Sequence, residues 1–355
     1  MSTLSVASET HAPLQASTRK RGCLYLILRG LKWLVIAVVA ILVLGFAYQA
    51  AAVELDKRGF PPPGQLYAVN GHQMHINCTG TGSPTVVLQA GGASDSTWWY
   101  WVQKQLSAHT QVCAFDRPGT GWSEPTSEPR DALTMVSELH TLLGMAAIPT
   151  PYVMAGHSYG AVLTRIYAAQ YPDEVAGMVA VDSAVMIPDH FDSQSEFDQW
   201  LAQWQGTHAL FGWLTRLGLT RLLDAGQFQN SGYPPEVIAE MTALHARNQT
   251  IDTDFAEFVT GYWALTKAAA NAENFANLPF AILWARQSMD AYDTHIEGFK
   301  AMREKLSTYS SNSVTRVVEG ADHGSIIGNE AYAAQVTDAV LAVINAGQTG
   351  QPLAQ

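Results

Sequence analysis

Polar and apolar positions divide this chain into three regimes. From Trp33 to Val53 the sequence runs WLVIAVVAILVLGFAYQAAAV without a charged residue. A helix of that length spans roughly the 30 Å hydrocarbon core of a bilayer. Beyond it, short apolar runs alternate with amphipathic stretches. Leu66–Val69 and His72–Cys78 flank Asn70-Gly71, a hairpin signal. Thr85–Gln89, Val112–Phe115, Tyr152–Met154, Val175–Val181, Phe280–Trp284 and Val314–Val318 are brief β-branched or apolar runs. Between them Trp98–Leu106, Met135–Met145, Ala161–Gln170, Glu297–Leu306 and Ala331–Ile344 repeat apolar residues at three- and four-residue steps. Strands alternating with helices predict a mostly parallel sheet covered on both faces.

The third regime interrupts this alternation. From residue 183 to 278 the pattern is helical and rich in large apolar side chains, among them Phe197, Trp200, Trp204, Phe211, Trp213, Leu214 and Leu217. It reads as a cap inserted into the α/β body, its aromatics serving packing, a substrate channel, or both. The expected organisation is a disordered basic tail (1–32), a transmembrane helix (33–53), a Pro-rich linker (54–64), a catalytic body (65–346, with the cap at 183–278) and a frayed tail (347–355).

Charge adds orientation. The net charge of −11 conceals a basic N-terminus, in which Arg19, Lys20, Arg21, Arg29 and Lys32 stand against Glu9. Only Lys57 and Arg58 follow the apolar run closely, so the positive-inside rule puts the N-terminus in the cytoplasm and the body outside. The rival reading is a cleaved signal peptide, with small residues at Gln49-Ala50-Ala51-Ala52. The run is longer than a signal core, which favours an uncleaved anchor. An acidic body argues against nucleic acid as a partner. There is no phosphate loop or dinucleotide fingerprint, and His72 and His75 fall on opposite faces of one strand. Neither a cofactor nor a metal is expected.

The chemistry concentrates where one strand ends. Gly156-His157-Ser158-Tyr159-Gly160 lies between a strand and a helix, the context that gives a Gly-x-Ser-x-Gly motif meaning. Small residues on either side allow a serine at a strained apex, and the helix N-terminus offers N–H groups to a developing oxyanion. Three further motifs accompany it: Ala90-Gly91-Gly92-Ala93, Asp116-Arg117-Pro118-Gly119-x-Gly121-x-Ser123 and Gly320-Ala321-Asp322-His323-Gly324.

In order and spacing these four motifs resemble the α/β-hydrolase fold superfamily, of the type with a helical cap after the sixth strand. The resemblance covers roughly residues 65–346. It implies an eight-stranded, mostly parallel sheet of order 1-2-4-3-5-6-7-8. It also implies Ser158 as nucleophile, His323 as base, and the N–H groups of Gly92 and Tyr159 as oxyanion hole. The histidine that often opens the Gly92 loop in this superfamily is absent, which alters how the loop is braced. The acid is open between two positions. Most members carry it after the seventh strand, where this chain has Ser288 and then Asp290. Others carry it after the sixth, where Asp182 stands. Asp182 is preferred and Asp290 is the alternate. Asp116 is read as bracing the Pro118-Gly119 turn, with Arg117 tied to it. Cys78 and Cys113 fall on neighbouring strands of the implied order and are a disulfide candidate in an exported body.

A serine at the nucleophile position disfavours epoxide hydrolases and haloalkane dehalogenases, whose chemistry needs an aspartate there. The implied activity is a membrane-anchored carboxylic ester hydrolase acting on a small, lipophilic ester, with amide or thioester cleavage and acyl transfer as variants. Rivals are a peptidase, for which cap acids Asp192, Glu196 and Asp198 could hold a free amine, and a non-catalytic binding protein on the same scaffold.

Overall fold

The computed structural model describes residues 18–184, 194–223, 228–295 and 298–354. Its first element is α1 (Thr18–Gly59), a helix about 63 Å long at 1.5 Å per residue. From Leu24 to Gly59 it is long and apolar enough to cross a membrane, and almost none of that surface is buried in the molecule. The helix runs past both expected ends of the span. The residues after Val53 read as linker, yet Glu54 and Arg58 pair one turn apart at 2.9 Å and continue the helix. The Pro-rich spacer therefore shortens to residues 60–64.

Among the described residues the strands form one eight-stranded sheet of order β1-β2-β4-β3-β5-β6-β7-β8. They are β1 (Gln65–Val69), β2 (His72–Thr79), β3 (Thr85–Gln89), β4 (Val112–Phe115), β5 (Tyr152–His157), β6 (Val175–Val181), β7 (Phe280–Ala285) and β8 (Ser313–Val318). β2 runs antiparallel to β1 and β4, and the pairings from β4 through β8 are parallel. Asn70 and Gly71 take the positive φ angles, 48° and 88°, that a two-residue hairpin needs. Cys78 sits directly opposite Cys113 in the β2–β4 ladder, and the two are joined in a disulfide.

Period-two alternation sorts each strand between two cores. Tyr152 and Met154 of β5 enter one, against α3 (Ala132–Met145) and α4 (Tyr159–Gln170). Val153 and Ala155 enter the other, against α2 (Tyr100–Leu106) and the C-terminal helix Glu330–Thr349. The central strands are buried on both faces, which is why they read as unbroken apolar runs.

The cap follows β6. It comprises α5 (Gln194–Arg216), α6 (Thr220–Leu223), α7 (Pro235–His245), α8 (Asn248–Asp254), a π-helical turn over Phe255–Thr260 and α9 (Tyr262–Ala270). After β7 come α10 (Arg286–His295) and α11 (Phe299–Leu306). After β8 come α12 (Ser325–Gly328) and α13 (Glu330–Thr349). Within the tail expected to fray, α13 reaches Thr349 and the Leu353 N–H donates to Asn312 Oδ1 at 2.8 Å.

Candidate active site

Ser158 stands between β5 and α4 with φ 54° and ψ −121°, a conformation that costs a non-glycine residue energy. The surroundings enforce it. The Ser158 N–H donates to Val181 O at 3.0 Å. A side chain on Gly156 would come within 2.3 Å of Gly160 O, and one on Gly160 within 2.3 Å of Gln89 O. Only glycines let strand, turn and helix close this tightly around the apex.

Asp182 and His323 meet at the same edge of the sheet. Asp182, at the tip of β6, is buried, and its Oδ2 lies 2.6 Å from His323 Nδ1. Its Oδ1 accepts the Ala285 N–H at 2.9 Å. The carboxylate thus holds the proton on Nδ1 and leaves Nε2 as the basic nitrogen. His323 is 39% exposed at the side chain, open enough to exchange protons with a ligand. Asp290 is elsewhere. The stretch after β7 is helical from Arg286 onward, and Asp290 lies on its surface, 64% exposed and 3.6 Å from Arg286. Asp182 rather than Asp290 faces the imidazole.

His157 ties the two halves together. Its Nε2–H donates to the His323 carbonyl at 2.8 Å, and the two rings lie 4.6 Å apart. Burial first, then the neighbouring His323, pushes its pKa down to about 3. It stays neutral and serves as a fixed donor beneath His323.

The Gly92 loop packs on the serine: a side chain on Gly91 would lie 3.3 Å from Ser158 Cβ. Arg117 braces this loop, donating from Nη1 to Ala90 O and from Nη2 to Gly91 O, both at 2.7 Å. The C=O of Gly91 and the N–H of Gly92 point oppositely across a trans peptide. Anchoring the carbonyl therefore aims the Gly92 N–H away from Arg117. This corrects the expectation that Arg117 is tied to Asp116. Asp116 does hold the turn, accepting the Trp122 N–H at 2.9 Å, but its other partners are Ser96 N and His75. Arg117 instead pairs through Nε with Glu257 of the π-helical turn, at 2.9 and 3.0 Å. Glu257 lies 3.8 Å from Arg130, which binds Glu138 at 2.9 Å. The result is a buried chain of alternating charges running from α3 through the cap's Glu257 to the Gly92 loop. The sequence carries no local signal for it, because Arg117 and Glu257 are 140 residues apart.

One pocket of about 390 Å³ opens over Ser158 and the Gly92 loop. Gly92, Ser158 and Tyr159 line its floor, and Trp204, Phe211, Ile251 and Phe255 of the cap give it apolar walls. Thr207, His208 and Asp254 add polar edges. The walls suit an uncharged, apolar ligand, and the floor presents a serine with backbone donors. Of the cap acids considered for an amine, Glu196 and Asp198 are exposed on α5 and are not among the described residues lining this pocket; Asp192 lies outside the described residues.

Comparison with known proteins gives the same architecture. The family profile described as alpha/beta hydrolase fold matches residues 84–211. The protein YqjL of Bacillus subtilis is 30% identical over 155 residues, covering 41% of this chain and 60% of that protein. An uncharacterized protein of Schizosaccharomyces pombe is 29% identical over 195 residues, covering 46% of this chain and 35% of its own length. The chain thus spans between about a third and three fifths of these curated relatives. Among solved structures, the epoxide hydrolase CorEH superposes with a TM-score of 0.61 at 19% identity, covering 78% of this chain and 96% of that one. An esterase from Thermogutta terrifontis superposes with a TM-score of 0.57 at 18% identity, covering 81% of this chain and all of that one.

Proposed function

We propose that this chain, which belongs to the α/β-hydrolase fold superfamily, is a serine hydrolase that cleaves small apolar carboxylic esters through an acyl-enzyme on Ser158. The observation that carries the reading is the Asp182–His323 pair, 2.6 Å apart, at the sheet edge where Ser158 is held in a strained turn. His323 Nε2 takes the Ser158 proton as Oγ attacks the ester carbonyl. The oxyanion is received by the Gly92 and Tyr159 N–H groups. Collapse returns the proton to the departing alcohol. Water, deprotonated by the same imidazole, then releases the acid and restores Ser158. A serine forms an ester with an acyl carbon and has no counterpart to the carboxylate that opens an epoxide. Likeness in fold to CorEH therefore does not extend to its reaction.

Labelling of the detergent-solubilised full chain with a fluorophosphonate probe tests this. The wild type is expected to label at Ser158, and Ser158→Ala and His323→Ala to stay unlabelled while folded. A folded wild type that takes no label would sink the reading and move the non-catalytic scaffold to the front. We also propose that α1 is retained as a membrane anchor, with the N-terminus cytoplasmic and the body outside.

A further inference from the structure

The cap carries an apolar face that the fold leaves uncovered. Leu210 and Trp213 on α5, Leu219 just after it, and Leu222 and Leu223 on α6 are between 40% and 71% exposed. Such a cluster is a liability in water and marks a contact surface. Its neighbour identifies the partner. The Phe46 ring lies 6.1 Å from the Trp213 ring, edge to face. Gly45 abuts Leu217, and Tyr48 abuts Gly218. Gly45, Phe46 and Tyr48 belong to the uncharged run of α1, so whatever surrounds that run also surrounds the cap side chains that touch it. The charges nearby do not oppose this. Arg221 pairs with Asp56 at 2.7 Å, and Arg216 pairs with Asp252 at 2.9 Å.

We propose that this cap face is seated in the boundary of the lipid bilayer that holds α1. Trp213, beside Phe46, then reaches below the headgroup level, and the leucines next to Arg221, whose partners are Gln49 and Asp56 near the outer end of the span, occupy the interfacial boundary. The face continues into the pocket. Trp204, Thr207, His208 and Phe211 recur at helical spacing along α5 and line it, while Leu210 and Trp213 lie on the adjoining stripe. Trp204 and Phe211 both line the pocket and are 42% and 45% exposed, so its cap wall borders the lipid face. Resting on the serine-hydrolase reading, the substrate class narrows to esters dissolved in the bilayer.

The decisive experiment uses the full chain in phosphatidylcholine–phosphatidylglycerol nanodiscs, on a Cys23→Ser background. Single fluorophores are placed by Leu222→Cys, by Val43→Cys within the span, and by Asp173→Cys at the sheet edge opposite the cap. Doxyl-labelled lipids are expected to quench the labels at 222 and 43 and to spare the label at 173. Quenching at 43 without quenching at 222 overturns the proposal, as does disulfide cross-linking between copies at 222, which would assign the face to a second copy. A label at 43 that is not quenched removes α1 from lipid and the proposal with it. A kinetic arm tests delivery. Leu222→Asp combined with Leu223→Asp is expected to lose about tenfold in turnover of a long-chain ester held in vesicles, with a water-soluble short-chain ester unaffected. Equal effects on both esters would overturn lipid delivery. Turnover of neither by the wild type would instead count against the hydrolase reading, and the quenching result would stand on its own.

Discussion

Asp182 meets His323 because its other bonds leave one oxygen free. Its N–H donates to Leu283 O at 2.7 Å, and Oδ1 is occupied by the Ala285 N–H, so Oδ2 is fixed toward the imidazole. Asp182→Asn would place an amide against Nδ1 and favour the wrong tautomer. The rate of fluorophosphonate labelling is expected to fall on the order of 10³-fold, whereas Asp290→Asn stays within about twofold of wild type. Asp254 offers a different test. Burial, with Glu257 adding to it and Arg117 opposing, pushes its carboxyl up to about 6. A raised carboxyl contributes stability that is fully present below its ordinary value and is lost as pH rises through about 6. Asp254→Asn cannot ionise, so its melting temperature should match wild type near pH 3 and exceed it above pH 6, by up to about 3 kcal/mol in stability. Because Asp254 lines the Ser158 pocket, the same variant should remove a rise in KM for neutral esters across pH 6. Equal melting temperatures at pH 8 would show that the carboxyl is not perturbed. At this scale the sequence was informative where chemistry is local. Ser158 follows β5 inside a recognisable motif and His323 lies in another in the loop after β8, whereas Asp182, at the tip of β6, carried no motif and was one of two candidates. It was silent where a bond spans the chain, as between Arg117 and Glu257.

The cap and the Gly92 loop are distinct elements joined by one guanidinium. Arg117 holds two loop carbonyls and a carboxylate of the π-helical turn at once, which needs a planar fork of donors rather than a point charge. Burial disfavours its charge, but Glu257 more than restores it and the guanidinium stays ionised. Arg117→Lys keeps the charge and loses the fork. It is expected to lower kcat by about 10²-fold with little change in KM, since the Gly92 N–H, in its proposed role as oxyanion donor, matters only once the oxyanion develops. If kcat and melting temperature fell together, the role would be structural alone. The missing loop histidine was readable as a change of bracing, but its substitute came from elements that no sequence pattern connects. Strands were legible because burial on both faces makes them continuous apolar runs. α10 was not: no element was assigned between β7 and the Glu297–Leu306 helix, and Arg286–His295 forms a surface helix whose apolar content is too low to announce itself.

At the scale of the molecule, α1 either belongs to the working protein or is removed as a signal. A cut near Ala52 would take Gln49 with it, and Gln49 is built into the cap. It is 3% exposed, donates through Nε2 to Ala246 O at 2.8 Å and accepts the Arg221 Nε–H at 2.8 Å. Arg221 in turn pairs with Asp56, so α1, α6 and the end of α7 share one polar contact inside an otherwise apolar junction. Cleavage would leave the Ala246 carbonyl and the Arg221 guanidinium short of partners where water enters poorly, at a cost of about 1–3 kcal/mol. A segment destined for removal has no reason to satisfy buried groups of the mature body. The mature chain isolated from membranes is therefore expected to keep residues 33–53, as intact-mass measurement would read. In that chain Gln49→Ala should raise amide exchange about tenfold in α6 and the C-terminal turn of α7 while leaving β5 and β6 unchanged. An N-terminus beyond Val53, with cap exchange no faster than in an uncleaved chain, would make α1 a leader and the Gln49 contact incidental.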